Sequence, residues 1–342
     1  MEGLFNMAKI SLRIEVVRSS FKHISSMSAE SAGDIVTLLR QHYSDVILTN
    51  VDTLEALNAL VERKPDLVFA GIYFVFDEAN NGAKVWLADV LEQHGIAYTG
   101  SGKHANRLSL NKHLAKTRML EQGIRTAAFK LFRREDTEKV HEGTLNFPLF
   151  VKPSNKSGGQ GIDEFSIVYT TEQLRNKVAY IHREHSTDAL VEEYLSGREF
   201  SIAIIGGPEN SFVAMPLELI AIEDRNGDRI RSQVVKSSNS EAMNHIPNLI
   251  ERSMLEKFAI DSFHALGGAG YGRIDIRFNA LGVPYFLEAN HIPSLIQIDS
   301  SFLRAYEMTI GKDYESMILR IVALALKRDY MPLSRERISP TL

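Results

Sequence analysis

Two short segments near the C-terminal end hold the side chains best suited to chemistry: Gly272-Arg273-Ile274-Asp275-Ile276-Arg277-Phe278 and Tyr285-Phe286-Leu287-Glu288-Ala289-Asn290. Each alternates apolar and polar residues, the period of a half-buried strand. Asn279-Ala280-Leu281-Gly282 between them predicts a hairpin turn. Side chains two apart on a strand share a face. Arg273, Asp275 and Arg277 therefore point one way, as do Glu288 and Asn290. With these faces together, Asp275, Glu288 and Asn290 converge beside Arg273. An all-oxygen set of this kind suits Mg²⁺, which takes carboxylates together with substrate phosphates. The arrangement points to an ATP-dependent enzyme.

The elements that must position this hairpin follow from the pattern upstream. The first third alternates strands (Lys9 to Val17, Asp45 to Thr49, Pro65 to Ala70, Ile96 to Thr99) with helices (Ala29 to His42, Leu54 to Arg63, Val85 to His94). Strand–helix alternation predicts a parallel sheet covered on both faces. No Gly-x-Gly-x-x-Gly follows the first strand, so the dinucleotide fingerprint is absent. Gly100-Ser101-Gly102 reads as a linker, followed by a helix from Leu110 to Gln122 with a glycine stop at Gly123. The middle segment is α+β, with strands at Ala127 to Phe132, Leu149 to Lys152, Phe165 to Val168 and Ala189 to Val191. Its helix, Thr171 to Arg183, is capped by Thr170 or Thr171. Further strands are predicted at Glu199 to Ile205 and Met215 to Ile222, a long helix at Pro247 to Leu266, and a last helix at Asp313 to Arg328.

Three more places could carry chemistry. Phe150-Val151-Lys152-Pro153 ends a strand and runs into Ser154-Asn155-Lys156-Ser157-Gly158-Gly159-Gln160-Gly161. Glycines let backbone N–H groups approach an anion, and a lysine leaving the strand adds a charge for a phosphate. No Gly-Lys-Ser/Thr opens a helix, so this is not a Walker A loop; a plain glycine-rich turn explains the same residues. Val191-Glu192-Glu193-Tyr194-Leu195-Ser196-Gly197-Arg198-Glu199 leads a buried strand into acidic residues around a turn. A strand edge can pair with an adenine and a carboxylate with ribose hydroxyls; a solvated turn is the bland alternative. Lys112 and Lys116 are spaced i, i+4 on one helix, where surface lysines are common. His182 and His185 lie i, i+3 without a third partner in the sequence, so no histidine metal site is read. No Gly-x-Ser-x-Gly nucleophile elbow is present.

Composition sets limits. The 342 residues suffice for two or three domains, with 44% hydrophobic and 24% charged residues. A net charge of −4 gives no basic footprint for a nucleic acid. With no cysteine, disulfides, thiolate metal sites and a cysteine nucleophile are excluded, and a cytoplasmic setting fits. The N-terminus lacks the pattern of a signal peptide. The run from Met317 to Leu326 is short and carries Arg320, a buried helix and not a membrane span. No repeat of the length used by solenoids appears.

Taken in order, the motifs resemble those of the ATP-grasp superfamily, and within it the D-alanine–D-alanine ligase family. The likeness runs from about Pro65 to Lys327. It rests on Tyr98-Thr99-Gly100-Ser101, Leu110-Asn111-Lys112, Phe150-Val151-Lys152-Pro153, the Val191 to Glu199 run, Gly272-Arg273-Ile274-Asp275 and Leu287-Glu288-Ala289-Asn290-His291-Ile292-Pro293. The resemblance implies a three-domain ATP-grasp fold: an N-terminal parallel-sheet α/β domain (1–105), a central subdomain (106–190) and a C-terminal subdomain with the metal site (191–342). It implies that Lys112 and Lys152 hold the ATP phosphates under a loop of Ser157, Gly158 and Gly159. Glu192, Glu193 through its backbone, and Leu195 would hold adenine, with Glu199 on the ribose. Asp275, Glu288 and Asn290 would coordinate two Mg²⁺. Arg273, a backbone N–H near Ser294, and Lys236 as the lid lysine would stabilise the charge that develops in the reaction. The implied reaction is attack of a substrate carboxylate on the γ-phosphate, then of an amine on the acyl phosphate. A homodimer and small-molecule carboxylate and amine substrates follow from the same likeness.

The substrate side departs from the family pattern. The family's first strand leads into a His-Gly-Gly-x-Ser-x-Glu turn, where this chain has Arg18-Ser19-Ser20-Phe21-Lys22-His23. Its His-Gly after the strand at Val68 is replaced by Gly71-Ile72-Tyr73-Phe74, the lid around Lys236 lacks the expected tyrosine, and Ser294 and Ile298-Asp299-Ser300-Ser301 follow Pro293. The expected activity is therefore a carboxylate–amine ligase for amino-acid-like substrates other than two D-alanines. An ATP-grasp kinase or carboxylase, and a nucleotide-binding module without catalysis, are the alternatives.

Overall fold

The structure, a computed structural model, describes residues 9–21, 24–135, 140–156, 158–207, 211–221, 223, 229–230, 242–298 and 300–327. Ser157, Lys236 and Asp299 lie outside them. The first strand, β1 (Ile10–Arg18), buries Ile14 to Val17 without interruption, as an inner parallel strand does. Helix α1 (Ala29–His42) begins where the Ser28 hydroxyl accepts from Ser31 N–H, and it buries Ala32, Ile35, Val36 and Leu39. Then follow β2 (Tyr43–Asn50), α2 (Leu54–Glu62), capped by Thr53, and β3 (Leu67–Ala70). The predicted alternation is present to within a few residues.

The helix predicted from Val85 to His94 is shorter, because its first residues belong to a hairpin. β4 (Phe74–Asp77) pairs antiparallel with β5 (Ala83–Trp86), and only then does α3 (Leu87–Gln93) start. The turn between the strands carries Asn81 and Gly82 at φ of 53° and 71°, the left-handed region in which this pair is at ease. β6 (Ala97–Tyr98) closes a parallel sheet of order β2-β1-β3-β6. Gly100-Ser101-Gly102 is no free linker. Ser101 Oγ accepts from Ala269 N–H at 3.0 Å, and the chain passes directly into α4 (Lys103–Ser109), a helix the sequence reading lacked.

α5 (Lys112–Glu121) starts at Asn111, whose side chain accepts from Leu114 N–H. The central sheet has the order β7-β10-β8-β9, from β7 (Phe129–Phe132), β8 (Leu149–Pro153), β9 (Ile167–Val168) and β10 (Ala189–Glu193), backed by α6 (Thr171–His185). The third sheet is antiparallel. It contains β11 (Glu199–Gly206), β12 (Phe212–Ile220) and β13 (Ala242–Asn244), then α7 (Leu249–Ala265) covering it, then β14 (Tyr271–Phe278) and β15 (Pro284–Asn290), in the order β13-β12-β11-β14-β15.

Two helices complete the described chain. α8 (Ser301–Ile310), capped by Ser300, went unpredicted although Phe302, Leu303, Ala305 and Tyr306 form its buried face. α9 (Tyr314–Leu326) is the expected last helix. Phe302, Tyr306, Met317, Ile318 and Ile321 share one core with Ile14, Val16 and Phe69 of the first sheet and with Met215, Leu217 and Tyr271 of the third. At about 1.5–3 kcal/mol for each fully buried large side chain, this core fixes the first sheet against the strands that carry the site.

Candidate active site

The hairpin of β14 and β15 pairs as its alternation predicts. Asp275 lies opposite Glu288 and Arg273 opposite Asn290, with an irregularity in register between Asp275 and Ile276. The turn closes through Asn279, whose side chain accepts from Leu281 and Val283 N–H, and Gly282 at φ 75°. Asp275 is 2% exposed. Arg273 grips it with two parallel bonds, Nε to Oδ1 at 3.0 Å and Nη2 to Oδ2 at 2.9 Å, and Ser201 on β11 donates to Oδ1 at 2.9 Å. Its carboxylate is thus fixed in direction before any ligand arrives.

Facing this hairpin, β8 and β10 bring Lys152 and Glu192 together. Lys152 Nζ donates to Glu192 Oε1 at 2.6 Å, while Lys116 Nζ lies 2.8 Å from Oε2. Lys116 also donates to Thr126 Oγ1 at 2.7 Å and to the Phe286 carbonyl at 3.4 Å, and it is fully buried. Burial pulls the Lys116 ammonium down to about 8, although Glu192 works against it. Burial alone would raise Glu192; the charges of Lys116 and Lys152 outweigh it and hold that carboxyl below its ordinary range. The sequence placed Lys116 only as a neighbour of Lys112. Nothing in a lysine at i+4 tells that it points inward to a carboxylate seventy-odd residues away.

Lys112 lies on the other flank, its ammonium 3.4 Å from Glu288 Oε2 and bonded to the Lys156 carbonyl at the root of the glycine loop. Gly158, Gly159 and Gly161 all have positive φ, so the loop's backbone turns as its composition predicts. The cleft between the two sheets is floored by Lys152, Glu192, Asp275 and Glu288 and walled by the apolar Phe150, Ile162, Leu195 and Leu287. Glu193 and Glu199 also line it. Glu193 accepts from Asn146 N–H and its side-chain amide. Glu199 accepts from Arg277 Nη1 at 3.3 Å; Arg277 also donates to the Gly197 carbonyl, Tyr194 OH and the Arg229 carbonyl. Arg277 thereby ties the turn to the strand, a role its position on the hairpin face did not disclose.

Asn290 points its amide oxygen at Tyr73, which donates at 3.1 Å. Burial pushes the Tyr73 hydroxyl up to about 12, so it stays protonated. Ser294 follows Pro293 and is exposed; its carbonyl accepts from Ser300 Oγ. A small cavity lined by Ser26, Ser28, Ser31, Tyr271, Pro293 and Ser294 adjoins the first turn of α1. This corrects one reading of the sequence. A serine and a glutamate in Ser-x-Glu order, Ser28 and Glu30, do follow β1, but only after a connection of nine residues (19–27). Inspection of the residues next to the strand could not find them.

The donor set fits a nucleotide and Mg²⁺ jointly. Among the described residues no three His, Cys, Asp or Glu side chains form a cluster able to hold an ion. Asp275 and Glu288 offer only part of an octahedron, which suits an ion that keeps waters and takes phosphate oxygens; the Asn290 amide oxygen, read as the third ligand, is instead turned to Tyr73 and the Ile292 N–H. The apolar walls suit a flat base, and two lysines flank the carboxylates.

Residues 119–323, more than half the chain, match the family described as D-ala D-ala ligase C-terminus. The chain is 30% identical to the D-alanine--D-alanine ligase of Lacticaseibacillus casei over 260 residues, covering 75% of this chain and 69% of that one. It is 28% identical to an uncharacterized protein of Sinorhizobium fredii over 304 residues, covering 87% and 88% of the two chains. Its fold matches the D-alanine--D-alanine ligase of Bacillus anthracis complexed with ATP, with a TM-score of 0.69 at 19% identity, covering 93% of this chain and 98% of that one. The fold and site define an ATP-grasp enzyme. The chain belongs to the D-alanine–D-alanine ligase family, a carbon–nitrogen ligase that uses ATP and Mg²⁺.

Proposed function

We propose that this ligase joins an amino-acid-like carboxylate to an amine through an acyl phosphate, and that its pair of substrates is not two D-alanines. The observation that carries the reading is the opposition of the Asp275–Glu288 pair, with Arg273 in place, to the Lys152–Glu192 pair across one cleft. Lys112 and Lys152 would draw the phosphates into line, with Gly158 and Gly159 over them. Leu195 and the backbone at Glu193 would hold adenine beside Glu192, and Glu199 would take the ribose. Asp275 and Glu288 would hold Mg²⁺, which offsets phosphate charge during in-line transfer. Arg273, bound to Asp275, would stabilise the negative oxygen that forms when the amine attacks, with the backbone near Ser294 as a second donor. Lys236, outside the described residues, would serve as the lid lysine.

The substrate claim draws support from Gly71-Ile72-Tyr73-Phe74, which stands where the family pattern has histidine and glycine, and from Ser294 and Asp299 after Pro293. The same reading divides the chain into 1–105, 106–190 and 191–342. It takes the protein to be a homodimer, testable by sedimentation, and cytoplasmic; among the described residues no helix is long and apolar enough to cross a membrane. Phosphate release measured with D-alanine alone and with a panel of amino acids and amines tests the specificity. Turnover confined to a pair other than two D-alanines is expected; vigorous release with D-alanine alone overturns it.

A further inference from the structure

Lys112 and Lys116 stand one turn apart on α5, but their ammonium groups end in different places. That of Lys112 lies 3.4 Å from Glu288, which lines the cleft. Lys116 is fully buried and does not line the cleft. Its ammonium has three donors, and three acceptors from distant parts of the chain surround it: Thr126 Oγ1 at 2.7 Å, the Phe286 carbonyl of β15 at 3.4 Å and Glu192 Oε2 of β10 at 2.8 Å. Thr126 Oγ1 in turn donates to the Phe286 carbonyl at 2.8 Å, and Phe286 N–H donates to the Arg125 carbonyl at 2.9 Å, so this cage is fixed from behind. Lys152 is placed the other way round. It lines the cleft itself, and it donates to the second oxygen of the same carboxylate, Glu192 Oε1, at 2.6 Å.

We propose that Lys116 is a positioning residue for the nucleotide site: it holds one oxygen of Glu192, so that this carboxylate does not claim Lys152 for itself and the Lys152 ammonium stays available to a phosphate. The inference rests on the reading of Lys152 as a phosphate lysine. A buried carboxylate with a single cation for partner binds it strongly, because the low dielectric strengthens their attraction. Shared between two cations, it grips each less. Lys116 is not the one that leaves, since it is buried and neither Thr126 nor Phe286 lines the cleft. Lys152 can turn toward an anion, and Glu192 then still has Lys116. Without Lys116 the same turn would strand a carboxylate that is 3% exposed, a costly state. Lys116 acts on the phosphates through Glu192 and touches no ligand.

The test is binding of a non-hydrolysable ATP analogue and of adenosine to the full chain, by calorimetry, for wild type, Lys152→Met, Lys116→Met, Glu192→Gln and the variant carrying both Lys116→Met and Glu192→Gln. Melting temperatures report folding. Lys152→Met and Lys116→Met are each expected to weaken the analogue about 10-fold, the scale of one charge-assisted bond, with adenosine changed by less than about 3-fold. On top of Glu192→Gln, the Lys116 substitution is expected to cost the analogue less than about 3-fold, because no carboxylate remains to hold Lys152. An unchanged analogue affinity in Lys116→Met, beside a loss in Lys152→Met, overturns the inference and leaves the phosphate reading standing. Equal losses of analogue and adenosine in Lys116→Met make Lys116 structural only and overturn it. An undiminished loss on top of Glu192→Gln overturns it too, since Lys116 would then act without Glu192. An unchanged Lys152→Met removes the phosphate reading itself, and the inference with it. Should Glu192→Gln fail to fold, pH decides between wild type and Lys116→Met alone. Burial holds the Lys116 ammonium at about 8; Glu192 on β10 and Glu288 on β15 favour its charge, and Lys152 on β8 opposes it. The charge is present below that value and lost above it, so the gap in analogue affinity between wild type and Lys116→Met is expected to close from about pH 7 to about pH 9.5. A constant gap overturns the inference.

Discussion

Asp275 and Glu288 stand directly opposite one another across β14 and β15. Two carboxylates in register repel unless cations share them. Here Arg273 takes Asp275 and Lys112 approaches Glu288. The site is thus a balance of charges supplied by β14, β15 and α5.

Arg273 is bidentate on Asp275, a geometry lysine cannot copy. Arg273→Lys is expected to lower kcat by about 10²-fold or more while the KM for ATP changes little. Steady-state kinetics with saturating amine would check it. A rise in KM with unchanged kcat would make Arg273 a binding group only.

Glu192 is 3% exposed and lies between two buried ammonium groups. Glu192→Gln removes the carboxylate bonded to both ammonium groups, and the expected cost is about 3–5 kcal/mol of stability. Urea unfolding measures it. A loss under 1 kcal/mol would mean that water reaches Lys116 or Lys152.

The ammonium of Lys116 sits at about 8, below its ordinary 10.5. Between these values the unfolded chain keeps the proton and the folded one does not. Its contribution to stability is therefore lowest below pH 8 and grows as pH rises toward 10.5. Melting temperatures of wild type and Lys116→Met should accordingly shift in favour of wild type from pH 8 to pH 10. A difference constant over that range would contradict the burial argument.

Gly197 sits in the turn that carries Glu199. A Cβ there would lie 2.6 Å from the carbonyl oxygens of both Asn279 and Phe278. Gly197→Ala is expected to cost about 1–3 kcal/mol and to raise the KM for ATP, because the Glu199 carboxylate moves with the turn. Calorimetry and kinetics would test the two halves separately.

The hairpin and its facing carboxylates were legible in sequence because strand alternation fixes which side chains share a face. Lys152 was placed at a strand end, where β8 holds it, while Glu192 was placed just past a strand ending at Val191 and lies inside β10. Lys116, Tyr73 and Arg277 were not legible. Their roles come from contacts between distant elements, and a lysine, tyrosine or arginine shows no local pattern of its partner. The β4–β5 hairpin was hidden because Val85-Trp86 passes into helical residues without a break, and α8 because Ser300 caps it inside a stretch read for its motif. Glu30 escaped for a simpler reason: the connection before it is nine residues long.

The central claim is an ATP-driven ligation through an acyl phosphate. Incubation with a substrate carboxylate labelled with ¹⁸O, ATP, Mg²⁺ and an amine, followed by mass analysis of the released phosphate, tests it most directly. One ¹⁸O per phosphate, together with a product equal to the two substrates less water, is the predicted result. Unlabelled phosphate, or a phosphorylated product with no condensation, would contradict it.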